Sequence, residues 1–179
     1  MTYPNATPQA QSLTPGGEKR DAIQRALGLT GPDRELDGFA SELASKAGTP
    51  YAMINIFGEQ GQQFHGLCTP GEDSELPTVG RSMSLDDGFC PEVVNRRNAL
   101  ILPDVFAHPR FAGNAVVDLI NIRTYAGVPL IWEGTVLGTV CFVGPVEQPQ
   151  SAGQSSLALV REYRDQVMDF LARRAGYQP

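Results

Sequence analysis

The chain has 179 residues, with 14 Lys and Arg against 20 Asp and Glu and a formal net charge of −6. That length builds one domain with its own core, and basic residues scattered singly or in pairs exclude the clustered positive face that nucleic-acid binding requires. No apolar run approaches the roughly 20 residues that span a bilayer, and residues 1–17 lack the apolar core of a signal peptide, so a cytoplasmic protein without a membrane partner is expected. Three cysteines, Cys68, Cys90 and Cys141, lie far apart and are odd in number, which fits reduced thiols. With two histidines, His65 and His108, and no CxxC spacing, they do not make a zinc site, and no metal is assigned.

Residues 1–17 are rich in Pro, Gln, Thr and Gly and predict a flexible tail. One domain over 18–175 and a short tail at 176–179 follow. Residues 18–29 predict a short amphipathic helix with Ile23, Ala26 and Leu27 on one stripe. Thr30 then caps a second helix, with Pro32 in its first turn and Leu36, Phe39, Ala40, Leu43, Ala44 and Ala47 on its apolar face. Gly48 ends it, and Pro50 prevents its return.

Residues 51–57 predict an apolar strand and 62–68 a more polar strand at a sheet edge, joined as a hairpin by a turn at 58–61. Residues 69–80 read as a polar loop that rims or covers something, and 81–85 as a short extended piece. A helix begins near Cys90 and Pro91, where Pro at the first position followed by Glu92 is a strong start signal, and ends near Asn98. Residues 99–102 form a short strand, 103–114 are irregular, and 115–120 form a turn or two of helix.

Residues 123–144 then read as two strands around a Glu133-Gly134 turn. In the second strand Val136, Val140 and Phe142 point one way and Leu137, Cys141 and Val143 the other. A strand apolar on both faces belongs in the middle of a sheet covered on each side. Gly127, Gly138 and Gly144 mark bends or places where another group comes close. A closing helix runs to about Ala175, with Leu157, Val160, Arg164, Val167 and Leu171 as its main stripe and Leu159, Tyr163 and Phe170 as a second apolar edge.

Three stretches carry a resemblance. They are the helix leading into Ala47-Gly-Thr-Pro50, the run from Gly88-Phe89-Cys90 to Leu102-Pro103-Asp104-Val105 and His108-Pro109-Arg110-Phe111, and the final hairpin with its Tyr-Ala-Gly-Val-Pro-Leu. Over roughly residues 33–171 the chain resembles GAF domains, the small ligand-sensing modules of signalling proteins. The resemblance implies an α+β sandwich, GAF-like and related to PAS and profilin folds. Its central antiparallel sheet would have five to six strands, with the terminal helices on one face and the middle helix and loops on the other. It also implies a small-molecule pocket between the sheet, the helix after Cys90 and the flanking loops. Candidate ligand-binding residues are Cys90, Asp104, Phe106, Phe111, Arg123 and Tyr125.

Cys90 is the sharpest candidate for chemistry. A thiol at a helix start meets free N–H groups that stabilise a thiolate, while Asp86 and Asp87 oppose it. The alternative is a small, half-buried residue that caps the helix beneath a loop. Asp104 could equally cap its own loop or pair with Arg123. Arg110 and Phe111 anchor the loop, and His108 is a turn residue that lacks partners for haem or metal. Cys141, deep in a core strand, is structural.

The sequence has no Asn-Lys…Phe…Asp-Glu run of the kind cyclic-nucleotide-binding GAF domains carry. It also has no Cys-His pair of the kind that attaches bilins. GAF enzymes that reduce free methionine sulfoxide place several cysteines around the pocket. Cys90 falls near one such position by its Gly-x-Cys context and Cys68 lies on a neighbouring edge, but residues 114–122 hold no cysteine to complete the set. The leading expectation is a regulatory module that binds a small molecule or senses redox state through Cys90. It would act through a partner protein or through a homodimer of terminal helices, unless the short N-terminal helix covers the second apolar edge instead. No output domain fits in the four residues after the closing helix, and no cofactor is assigned. The alternatives are a thiol-dependent reductase of the free methionine sulfoxide type, catalytic through Cys90, and a ligand-free scaffold with Phe57, Phe111 and Trp132 filling the cavity.

Overall fold

The computed structural model describes residues 16–178, so the predicted tail at 1–17 lies almost wholly outside the described residues. Six strands form one antiparallel sheet in the order β3-β2-β1-β6-β5-β4. They are β1 (Tyr51–Phe57), β2 (Gln62–Cys68), β3 (Ser82–Met83), β4 (Leu100–Leu102), β5 (Thr124–Trp132) and β6 (Thr135–Gly144). The helices are α1 (Gly17–Ala26), α2 (Arg34–Ala47), α3 (Cys90–Arg96), α4 (Pro109–Ala112), α5 (Ala115–Ile120) and α6 (Gly153–Arg174).

Alternating side chains send each central strand into two cores. On one face Ala52, Ile54, Ile56, Val128, Leu130, Val140 and Phe142 meet Leu36, Ala40 and Leu43 of α2 and Val160, Val167 and Leu171 of α6. On the other, Tyr51, Met53, Phe57, Tyr125, Cys141 and Val143 meet Val93 and Val94 of α3 and Val116 and Val117 of α5. The terminal helices therefore share one face and the middle helices the other, as expected. The β5–β6 turn has Glu133 at φ 45° and Gly134 at φ 78°, the left-handed pair that a tight two-residue hairpin requires.

Several local expectations change. Asp33, rather than Thr30, caps α2: its carboxylate accepts from the Glu35 and Leu36 amides. The same carboxylate receives Arg174 from the end of α6, and Arg174 also donates to the Leu27 and Gly28 carbonyls. β2 is not the edge strand, because β3 pairs outside it. The α6 stripe is Ser156, Val160, Tyr163, Val167 and Leu171, and Arg164 turns outward to Asp165. Tyr163 is thus core.

The second edge of α6 is met by α2, through Phe39 packed at a tilt against Phe170 and Tyr163 Oη donating to Glu42. α1 lies over β6 instead. Its buried Arg20 and Gln24 donate to the Val136 and Leu137 carbonyls at 3.1 and 3.4 Å, and Gln24 also to Phe57 O at 2.8 Å. Those carbonyls belong to a bulge, where Ile131 pairs with Val136 and Leu130 with Gly138. Leu137 is the extra residue, so Val136 joins the Cys141 face and Leu137 the opposite one, reversing the simple alternation.

Candidate functional site

The floor of the site is a patch of the sheet made by cross-strand partners. Met53 pairs with Cys141, Asn55 with Thr139, and Cys141 also with Gly127. Because β1 and β6 are central, all four side chains on this face are buried. α3 begins directly above them. Its cap is Phe89, with no side-chain hydrogen bond, so Cys90 is the first helical residue rather than the cap.

Cys90 Sγ points down to the floor, 3.7 Å from Cys141 Sγ and 3.4 Å from Tyr125 Oη. Tyr125 reaches it by lying across Gly127, where any Cβ would overlap its hydroxyl. Gly127 was expected to admit a close neighbour, and this is the neighbour. Cys141 Sγ is in turn 4.0 Å from Met53 Sδ.

A hydrogen bond from Cys141 holds the Cys90 thiol below its ordinary pKa against the opposing effect of burial, with Thr139, Tyr125 and Asn55 adding to it. The same contact, with burial, pushes Cys141 well up. The contact therefore pushes the two thiols in opposite directions, with Cys90 the more acidic of the pair. Asp86 and Asp87 are exposed. Asp87 meets the site only through its carbonyl, which accepts from Gln62 Nε2 at 2.8 Å. Tyr125 is driven upward by burial and stays a neutral donor.

Above this floor lies a cavity of about 140 Å³. Phe64, Met83, Phe89, Tyr125, Val116 and Ile122 are among the side chains that line it. Among the described residues, Asn55 Oδ1 is buried without a hydrogen-bond partner. Asn55 Nδ2 donates to Gln62 Oε1 at 2.6 Å, and Gln62 Nε2 donates to the Ser84 and Asp87 carbonyls. A polar relay thus runs from the floor to the loop that leads into α3.

Of the six predicted ligand residues, the structure brings Cys90 and Tyr125 to the cavity. Phe111 stands behind the wall, edge-on to Phe89 at 6.0 Å, and Arg110 ties its loop to Glu92 of α3 at 2.8 Å. Asp104, Phe106 and Arg123 do not line the cavity and form a cluster of their own. Arg123 pairs with Asp104 at 3.5 Å and Glu147 at 3.4 Å and lies over the Phe106 ring at 4.4 Å, while Asp104 Oδ1 accepts from the Phe106 amide. Their work is to pin the irregular segment.

Cys68 packs with the opposite core. Phe57, Phe111 and Trp132 do not line the cavity either. Sequence reasoning missed Cys141, Asn55, Met53 and Gln62. The signal available was Asn55 itself, a lone amide in an otherwise apolar strand.

An open six-stranded antiparallel sheet with helices on both faces and a cavity beneath its middle helices places the chain in the class of α+β folds. The GAF domain family model matches residues 31–169, and the chain belongs to that family, whose members are sensory and regulatory modules. No curated protein matches the sequence. Among solved structures it is similar to the GAF domain of the Acinetobacter phosphoenolpyruvate-protein phosphotransferase, at 16% identity over 89% of this chain and 94% of that one, TM-score 0.58. It is also similar to the type II free methionine-R-sulfoxide reductase of Thermoplasma acidophilum, at 12% identity over 78% and 91%, TM-score 0.57. A third is the cyanobacteriochrome receptor PixJ, at 13% identity over 87% and 97%, TM-score 0.59. Likeness at this identity concerns the fold alone. Among the described residues, no helix is long and apolar enough to cross a membrane.

Proposed function

We propose that this GAF domain is a sensory module that binds one small molecule in the cavity over Cys90, Tyr125 and Asn55. The supporting observation is the cavity with an orphaned acceptor, Asn55 Oδ1, at its floor. A buried unpartnered polar atom costs about 1–3 kcal/mol, and a ligand that donates to it recovers that cost. The walls are apolar, and about 140 Å³ matches a benzene-sized body. The ligand is thus a compact molecule with one ring's worth of apolar surface and a hydrogen-bond donor. Native mass spectrometry of freshly purified protein, compared with its denatured mass, should show such a mass lost on denaturation. Val116→Trp, which puts a large ring into the cavity lining, should abolish it. A chain that arrives bare and gives no thermal shift with single-ring donors overturns the reading.

The 3.7 Å approach of Cys90 and Cys141 favours a second reading, redox sensing at Cys90. The Cys90 thiolate would attack a peroxide, breaking its O–O bond and releasing hydroxide. Cys141 would then displace water from the resulting sulfenic acid as the S–S bond forms. A Cys141 partner also supplies the second thiol that a reductase would need. Turnover of free methionine sulfoxide with a dithiol reductant tests that enzyme reading, and zero turnover ends it.

A further inference from the structure

Three sulfurs converge at the cavity floor. Cys141 Sγ stands 3.7 Å from Cys90 Sγ and 4.0 Å from Met53 Sδ. A metal–thiolate bond of about 2.3 Å places two sulfurs of one three-coordinate ion roughly 4 Å apart, and both separations fit that spacing. The three donors are also fixed from independent directions. Met53 and Cys141 are direct cross-strand partners in the two central strands, and Cys90 descends from the first turn of α3. Cys141 Sγ stands within that spacing of both other sulfurs.

We propose that Cys90, Cys141 and Met53 form a binding site for a soft monovalent cation, Cu(I). Two thiolates and a thioether are the donor set that such an ion selects over harder ones. Among the described residues there is no group of three His, Cys, Asp or Glu that could hold a metal, so the site offers Zn(II) too few of its usual ligands.

Two thiolates on one monovalent ion leave a net negative charge in a buried place. Tyr125 Oη, 3.4 Å from Cys90 Sγ, donates toward it. Each metal binding event releases the remaining thiol protons to solvent through the cavity, and no electron changes hands. The site needs no organic molecule above it, so it stands apart from the small-molecule reading. It is open only to the reduced pair, because a disulfide removes both thiolates.

The test is anaerobic competition of the reduced full chain for Cu(I) held by bathocuproine disulfonate. The wild-type chain should withdraw one copper per chain, and X-ray absorption should find sulfur as the only first-shell donor. Cys90→Ser and Cys141→Ser should each weaken binding by more than the roughly 10–100-fold that outer-shell partners cost, and Met53→Leu by about 10-fold. Cys68→Ser, on the opposite core, should leave binding unchanged. No withdrawal of copper overturns the proposal, as does retention of full affinity by Cys141→Ser. Nitrogen or oxygen in the first shell of the wild-type complex overturns it too, even if a serine variant fails to fold.

Discussion

At Gly127 the absent side chain leaves room for the Tyr125 hydroxyl, which crosses that position on its way to Cys90 Sγ. Gly127→Ala would force the ring aside in a packed layer, which costs about 1–3 kcal/mol. It would also take a donor from the Cys90 thiolate. Chemical denaturation should show the lost stability, and the pH profile of Cys90 alkylation should move to higher pH. An unmoved profile would mean that Tyr125 does not hold the thiolate.

His65 shows the opposite effect of burial. It is 3% exposed, and desolvation, modulated by Asp33, Arg174 and Arg81, depresses its pKa from 6.5 to about 4. Between those values the unfolded chain binds a proton that the folded one refuses, so stability is full above pH 6.5 and falls as the pH drops toward 4. Urea midpoints should follow that curve, and His65→Gln should flatten it. Single residues also show what the sequence made legible. Gly127 and Cys90 announce themselves by type and context. Cys141 does not, because a thiol in a core strand looks the same whether its neighbour is a leucine or a second thiol.

Elements were read well where local chemistry decides them. The limits of β1 and β2, the Gly48 stop at φ 67° and the Glu133-Gly134 turn all follow from short-range rules. Where long-range partners decide, local rules chose wrongly. Thr30 is a plausible cap, but Asp33 also satisfies Arg174 from the far end of the chain. Although burial pushes the Asp33 carboxyl up, the Arg174 hydrogen bond and the Glu35 and Leu36 amides hold it below its ordinary value. Asp33→Ala should therefore cost about 1–2 kcal/mol, while the exposed Thr30→Ala should be neutral, both read from urea midpoints. The Leu137 bulge is a second case, since nothing in the alternation of β6 betrays an extra residue. It is satisfied by Arg20 and Gln24, more than a hundred positions away.

In the whole molecule the sheet divides the core packed under α2 and α6 from the one that contains the Cys90 cavity. In the first of these Leu43 is fully buried among α2, α6 and the strands. Leu43→Ala should cost about 2–5 kcal/mol. At the cavity wall, Val116→Ala enlarges space that already exists and should cost less than about 1.5 kcal/mol. Equal losses by chemical denaturation would contradict that asymmetry. The fold class was readable because hydrophobic period and turn residues are written along the chain. The site was only half readable, because Asp104 and Arg123 turn to each other while Asn55 and Cys141 meet their neighbours across strands.

Gln62 gives that division a direction. Its amide accepts from Asn55 Nδ2 and donates to two carbonyls of the loop before α3, so an occupant that donates to Asn55 Oδ1 and turns that amide pulls on Gln62 and, through it, on the loop. The central strands, paired on both sides, have less slack with which to answer. Amide hydrogens around Ser84 and Asp87 would then change their exchange with deuterium before any in β1 or β6, and the molecule would report its occupant from a loop rather than from its sheet.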